Sequence, residues 1–410
     1  MNPTPHRDLA LINAAGFLRS LGVGMTGVVL GIYLFRAGLN SFTIGLVIGV
    51  GLTGAALATA VTSLAADRFG RRRSLLVLSL LSSIGGIALS LLPHLPVLLL
   101  LAFVGMLNGT GTDRSASHAL DQAIIPGLVP DRKRTWTLAV YNVLLDGGGS
   151  LGALAAGLPI VLERWLSYSP LGSYKVIFLG YGLLYLLVAA AYLYLSPASE
   201  IGSPAPLRLG SRISPPAKRT IFRLTALFSL DAFGGGFLTD ALVAYWFFRR
   251  FGVPERDLGF LFFAIHILNA LSHLGAAWLA RRIGLVNTMV FTHLPSSLFL
   301  MAVPFAPSFH WAVVLLLCRE ALVEMDVPTR QSYVAAVVAP SERTLASGIT
   351  NLARNVFWAV GSTVAGAIMQ SLTFSAPLLV GGGAKVTYDV LLYIGFRKLK
   401  PPEERQSSEK

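Results

Sequence analysis

Apolar positions in this chain come in long runs and do not alternate. Stretches of about twenty mostly apolar residues, the length a helix needs to cross a bilayer, recur about twelve times. They cover residues 9–35, 43–66, 74–92, 96–125, 135–162 and 174–195. After a break they resume at 220–248, 258–280, 285–303, 311–338, 345–372 and 377–396. The pattern predicts an all-α integral membrane protein of about twelve transmembrane helices. The last span is the most polar, holding Gly381, Gly382, Gly383, Lys385 and Asp389.

The break carries Pro197, Pro204, Pro206, Pro215 and Pro216 and no apolar run, so residues 196–219 read as a flexible linker. It separates a first bundle, 1–195, from a second, 220–396, with a tail at 397–410. The two bundles echo each other. At one fixed offset Gly22, Gly38, Gly45 and Gly70 fall on Gly236, Gly252, Gly259 and Gly284. At another, Arg134, Thr135, Asn142, Gly152 and Gly157 fall on Arg343, Thr344, Asn351, Gly361 and Gly366. Two related six-helix halves are the arrangement expected of secondary transporters, with a site between the halves.

Composition agrees. Hydrophobic residues make up 54% and charged residues 13%, half the ~25% of soluble domains, and mean hydropathy is +0.66. Too little polar surface exists to cover a soluble core of this length. The single cysteine, Cys318, rules out a disulfide framework and a thiolate metal site, and reads as a packing residue. The first eight residues lack an apolar h-region, so no cleaved signal peptide is expected.

The net charge of +13 raises nucleic acid as a partner, and its distribution removes it. Taking the N-terminus as cytoplasmic, loops on that side hold Arg7, Arg68, Arg71, Arg72, Arg73, Arg132, Lys133 and Arg134. Arg208, Arg212, Lys218, Arg219, Arg223, Arg281, Arg282, Arg343 and the basic tail follow. The other side holds Arg36, Arg164, Lys175, Arg249, Arg250 and Arg256. This bias is the positive-inside pattern and places both termini in the cytoplasm of a multi-pass protein of the cell membrane. Tyr33, Trp165, Tyr168, Trp246 and Trp311 read as interfacial anchors.

The loop between the second and third spans reads Ser63-Leu-Ala-Ala-Asp67-Arg68-Phe-Gly70-Arg71-Arg72-Arg73. Here the sequence resembles the major facilitator superfamily, whose signature at this place is G-x-x-x-D-R-x-G-R-R/K-R/K. Asp67, Arg68, Gly70, Arg71 and Arg72 match, and Ser63 stands for the first glycine. Gly70 permits a tight turn. The resemblance implies that Asp67 lies by the N-terminus of the eleventh helix, near Thr344. Arg71 or Arg72 is expected to pair with Asp121, completing a cytoplasmic gate. The corresponding second-half loop has Arg281 in place of the acid.

Ionisable groups inside spans cost ~2.5–3.5 kcal/mol each on insertion scales and are functional candidates by default. The first span carries Arg19. The fourth carries Asp113, Arg114, His118 and Asp121, the last three on one helix face. The fifth carries Asp146, the seventh Asp231 and Asp240 around Gly234–Gly236, a run able to interrupt the helix. The eighth places His266, Asn269 and His273 on one face. The tenth carries Arg319, Glu320, Glu324, Asp326 and Arg330, with Glu320 and Glu324 on one side and the rest on the other. In the resembled fold the first, fourth, seventh and tenth helices line the central cavity, which implies Arg19, Arg114, Asp231, Glu320 and Glu324 as cavity residues. Candidates for carrying a coupling proton are Glu324, Asp231, Asp146 and Asp240, in that order.

No phosphate loop, nucleophile elbow, metal-histidine pair or dinucleotide fingerprint occurs, so no cofactor or metal is expected and an ion gradient, of protons, is the expected driving force. The reading is a secondary active transporter of a small organic solute, functional as a monomer in the lipid bilayer, and not an enzyme. Export by antiport is favoured, although the fifth span has Gly149-Ser150-Leu151-Gly152 in place of the glycine-proline dipeptide of drug–proton antiporters. Uptake symport of an organic anion drawn to Arg19 and Arg114 is the rival, and a non-transporting sensor or membrane enzyme the remaining alternative.

Overall fold

The computed structural model describes residues 4–91, 94–113, 115–130, 133–200, 215–337 and 343–397. Arg114, Arg132, linker residues 201–214 with Arg208 and Arg212, and the tail from Lys398 onward lie outside the described residues.

The helices are α1 (Thr4–Arg36), α2 (Ser41–Phe69), α3 (Arg71–Leu91), α4 (Leu95–Val104), α5 (Ala116–Leu128), α6 (Arg134–Leu154), α7 (Leu158–Leu166) and α8 (Pro170–Leu193). They continue as α9 (Pro215–Gly236), α10 (Asp240–Phe251), α11 (Glu255–Ile283), α12 (Leu285–Ala302), α13 (Phe309–Val323), α14 (Asp326–Val337), α15 (Arg343–Ser371) and α16 (Ala376–Phe396). Among the described residues, ten stretches are long and apolar enough to span a membrane. The two predicted spans missing from that set are the fourth and the tenth, and each is a broken helix.

The fourth breaks because its middle is glycine-rich and polar. Gly105 ends α4, and Asn108 turns its amide onto its own loop, donating to the Met106 carbonyl at 3.0 Å and accepting from Thr110. Such local bonds compete with the helix ladder. Gly111 has φ +74°, closed to most side chains. Helix resumes where Ser115 accepts the His118 N–H. His118 and Asp121 both belong to α5, where their three-residue spacing keeps them on one face, while Asp113 lies before the start of that helix. The tenth span breaks at Glu324, and α14 restarts with Asp326 in its first turn, where the helix dipole favours an acid. The seventh span is interrupted after Gly236, as its glycine run suggested.

The chain forms two compact units. One comprises Met1–Leu207 with Thr239–His266, the other Arg208–Leu238 with Ile267–Lys410. In the first, α1 packs along α6, where Gly24 meets Gly149 and Gly152 meets the Leu21 carbonyl with no space for a Cβ. Small residues let membrane helices approach this closely. The Ala241 N–H donates to the Gly109 carbonyl at 2.9 Å, so the break in the fourth span is satisfied by the start of α10. Irregular backbone at membrane depth needs that kind of protein partner. In the second unit α9 packs on α15 and α16, around a core that includes Phe228, Met289, Tyr333, Tyr388 and Leu392.

Three residues sit differently from expectation. Tyr33 and Trp246 are fully buried and are not interfacial anchors, unlike exposed Trp165, Tyr168 and Trp311. Cys318 is exposed and packs no core. The last span, for all its polar residues, is one unbroken helix.

Candidate functional site

In the first unit Arg19 of α1 is fully buried. Its guanidinium reaches Asp113 Oδ2 and Asp121 Oδ2, both at 2.9 Å, and contacts the phenols of Tyr141 and Tyr192. Both phenols donate to Asp121, at 2.9 and 3.0 Å. Two expectations change here. Arg19 is walled in by two aspartates and two tyrosines and does not face a cavity. Asp121 belongs to this cluster and pairs with neither Arg71 nor Arg72.

The loop motif instead binds locally. Gly70, at φ +104°, ends α2. Arg71 pairs with Asp67 at 2.9 Å, one helical turn away across the corner, and donates to the Ala123 carbonyl at 3.2 Å. Arg72 donates to the Leu193 carbonyl. Arg68 is exposed. The acid that holds the start of α3 is Glu200, which sequence reasoning passed over. Its carboxylate accepts from the backbone N–H groups of Arg71 and Arg72 at 2.7 and 3.1 Å, the favourable place for negative charge at a helix N-terminus. Asp8 in turn accepts the Ser196 N–H at 3.1 Å, fixing the chain just after α8.

Asp240 opens α10 with its carboxylate against Gly111 and 3.4 Å from His266 Nε2. Asp146, on α6, is half-buried. Glu255 at the start of α11 pairs with Arg36 at 2.7 Å and accepts from Tyr174.

The second unit holds the larger charge network. Asp231 of α9 is buried beneath Lys385 (2.7 Å), Arg354 (3.1 Å) and Arg330 (3.4 Å). His293 Nε2 stands 3.5 Å from it. Lys385 donates toward that same Nε2 at 3.4 Å, which leaves the His293 Nδ1–H to donate to Asp389 at 2.9 Å. Arg330 also pairs with Asp326, toward which Tyr388 points. A buried network of this kind is tolerated only when its members satisfy one another. Lys385 and Asp389, the residues that made the last span look doubtful, are what close this one. His293 is the member with no sequence signal, a lone histidine in an apolar run.

Glu320 is buried against Arg319, and Asn269, with its amide nitrogen turned toward Glu320, donates at 3.1 Å. Glu324 is different. It occupies the break between α13 and α14, its side chain is 21% exposed, and His273, 38% exposed, lies 3.9 Å away. Because the helix is broken there, the two-face argument for a continuous tenth span does not hold.

Comparison with known proteins now adds to this geometry. Residues 12–325 match the Major Facilitator Superfamily. The chain is 25% identical to an uncharacterized membrane protein, YJR124C, of Saccharomyces cerevisiae, over 94% of this chain and 93% of the yeast protein. A mutant of the nucleoside transporter NupG superposes with a TM-score of 0.77 at 14% identity, covering 95% of this chain and all (100%) of that one. A D-xylose-proton symporter superposes with a TM-score of 0.72 at 14% identity, over 95% and 97%. At such identities the two structures speak for the fold. With the family match over most of its length, the chain belongs to the Major Facilitator Superfamily and is a multi-pass membrane transporter of a solute, not an enzyme.

Proposed function

We propose that this transporter moves a small organic solute by alternating access, driven by the proton gradient, with Glu324 carrying the coupling proton. It works as a single chain in the cell membrane with both termini cytoplasmic. The observation that carries this reading is the placement of Glu324 beside His273 at a helix break. At 3.9 Å a carboxylate and an imidazole are beyond direct hydrogen-bond reach, but one water between them can relay a proton without stranding a charge, and partial exposure gives that water access. Broken helices are where transporters build their ion and solute sites. Asp231, Asp146 and Asp240 follow as alternative carriers.

The direction proposed is export. Anion uptake was expected from Arg19 and Arg114; the Arg19 guanidinium is occupied by Asp113 and Asp121, and Arg114 lies outside the described residues. One observation favours the other reading, proton–anion symport. Arg330, Arg354 and Lys385 converge on Asp231, with His293, Asp326, Tyr388 and Asp389 completing the ring of charged and titratable groups around it. A proton on Asp231 would release those cations to an anionic solute, so proton and anion would bind together.

The experiment is transport by the purified protein in proteoliposomes. Labelled hydrophilic organic acids, sugars and amines are tested under an imposed pH gradient. Accumulation of one solute that collapses with a protonophore supports the proposal. Transport unaffected by the pH gradient for every solute that moves would overturn it.

A further inference from the structure

We propose that a cleft of the second unit, between α9, α14 and α15, binds the carboxylate of the transported solute. This deepens the anion-symport reading and rests on it. The cleft is half open, offers about 30 Å³, and is lined by Arg330, Gln331, Thr350, Asn351 and Arg354 with Phe228 and Val334 as its apolar members. That is room for roughly two water-sized groups, the dimensions of a carboxylate, so the body of the solute stays outside the mouth.

The lining chemistry selects an anion. Arg330 and Arg354 reach the cleft together, and both direct a guanidinium nitrogen at a single oxygen, Asp231 Oδ2, at 3.4 and 3.1 Å. The other oxygen, Oδ1, is held by Lys385 at 2.7 Å. Asp231 is thus shared by three cations, of which Arg330 has a second carboxylate in Asp326 and Arg354 does not, while a guanidinium has five donors in a fork matched to carboxylates. Arg354 makes its described hydrogen bond to Asp231 alone. Arg330 is steadied from below by the Phe228 ring, 5.5 Å from its guanidinium. Gln331 and Asn351 are exposed at the mouth, where their amides can donate to an arriving oxygen. A solute carboxylate entering here competes with Asp231 for Arg354 and then Arg330, and neutralising Asp231 strengthens its hold.

The test is equilibrium binding of radiolabelled acetate, benzoate and gluconate to the purified full-length protein in detergent, without any gradient. At least one of the three should bind and be displaced by its unlabelled form, while benzylamine, benzyl alcohol and chloride at tenfold higher concentration should not displace it. Arg354→Gln should weaken binding tenfold or more, as expected for loss of a charged hydrogen bond. Asn351→Ala, at an exposed position, should weaken it severalfold in a folded protein. Asp231→Asn should tighten it about tenfold. Failure of all three carboxylates to bind, displacement by benzyl alcohol or chloride, or unchanged binding in both Arg354→Gln and Asn351→Ala would overturn the proposal. Binding that obeys these variants while transport ignores the pH gradient would leave the cleft standing and remove proton coupling alone.

Discussion

Removing Arg19 tests whether the buried cluster of the first unit is a structural lock. Arg19→Met keeps much of the side chain's length and leaves Asp113 and Asp121 without their cation. Both carboxylates are at most 1% exposed and each sits 2.9 Å from the guanidinium. Deleting one partner of a buried ion pair costs about 3–5 kcal/mol. Asp121 would keep the Tyr141 and Tyr192 phenols, and Asp113 the Ser115 N–H at 3.1 Å, so the low end, about 3 kcal/mol, applies. At roughly 2–4 °C per kcal/mol for a unit of this size, the Tm should fall by roughly 6–12 °C. The assay is intrinsic fluorescence of detergent-purified protein at one fixed heating rate, since such unfolding is commonly irreversible. Adding Asp113→Asn and Asp121→Asn to Arg19→Met should recover more than half of the loss, because no charge is then stranded. A Tm within about 2 °C of wild type for the single variant, or a triple variant no better than the single, would refute the reasoning.

Three further outcomes are expected. Asp67 is 46% exposed and pairs across a surface corner with Arg71, so Asp67→Asn should leave Tm nearly unchanged and solute binding within a few-fold while slowing transport; complete loss of binding in folded protein would contradict this. Glu200→Ala removes the acceptor for two N–H groups at the start of α3 and should lower stability by about 1–2 kcal/mol, read as a Tm loss that Glu200→Asp partly restores. In a Cys318→Ser background, Lys133→Cys should react with an impermeant maleimide only from the cytoplasmic side and Tyr168→Cys only from outside; the reverse would overturn the proposed orientation.

Much of the fold was legible because bilayer crossing demands long apolar runs, and among the described residues ten helical stretches meet that demand. What the runs hide is where a span breaks. Residues 105–112 hold Gly105, Gly109, Gly111 and Asn108, a breaker cluster masked by apolar flanks, and overlooking it made one continuous helix of what is α4, a polar loop and α5. The break at Glu324 carries a signal of its own that the sequence reading passed over: Pro328, four residues on, has no N–H for the Glu324 carbonyl and its ring crowds it. Charge partners were less legible still. Arg19 and Asp121 are far apart in sequence, and Asp231 meets Lys385 only through the packing of α9 on α16. Sequence shows that a buried charge needs a partner and leaves open which one, so Asp121 was assigned to the nearest exposed arginines. Glu200 escaped notice because it lies within residues 196–219, the stretch its prolines marked as a flexible linker, whereas the structure fixes it at the start of α3.

The central claim is that solute movement is tied to a proton carried by Glu324. The most direct measurement is solute-driven acidification or alkalinisation inside pyranine-loaded proteoliposomes, run in parallel with labelled-solute exchange. Wild-type protein should move protons when the transported solute is added, and Glu324→Gln should abolish the proton signal while solute exchange continues. Proton movement that persists undiminished in Glu324→Gln, or solute transport by the wild type with no proton signal, would contradict the account.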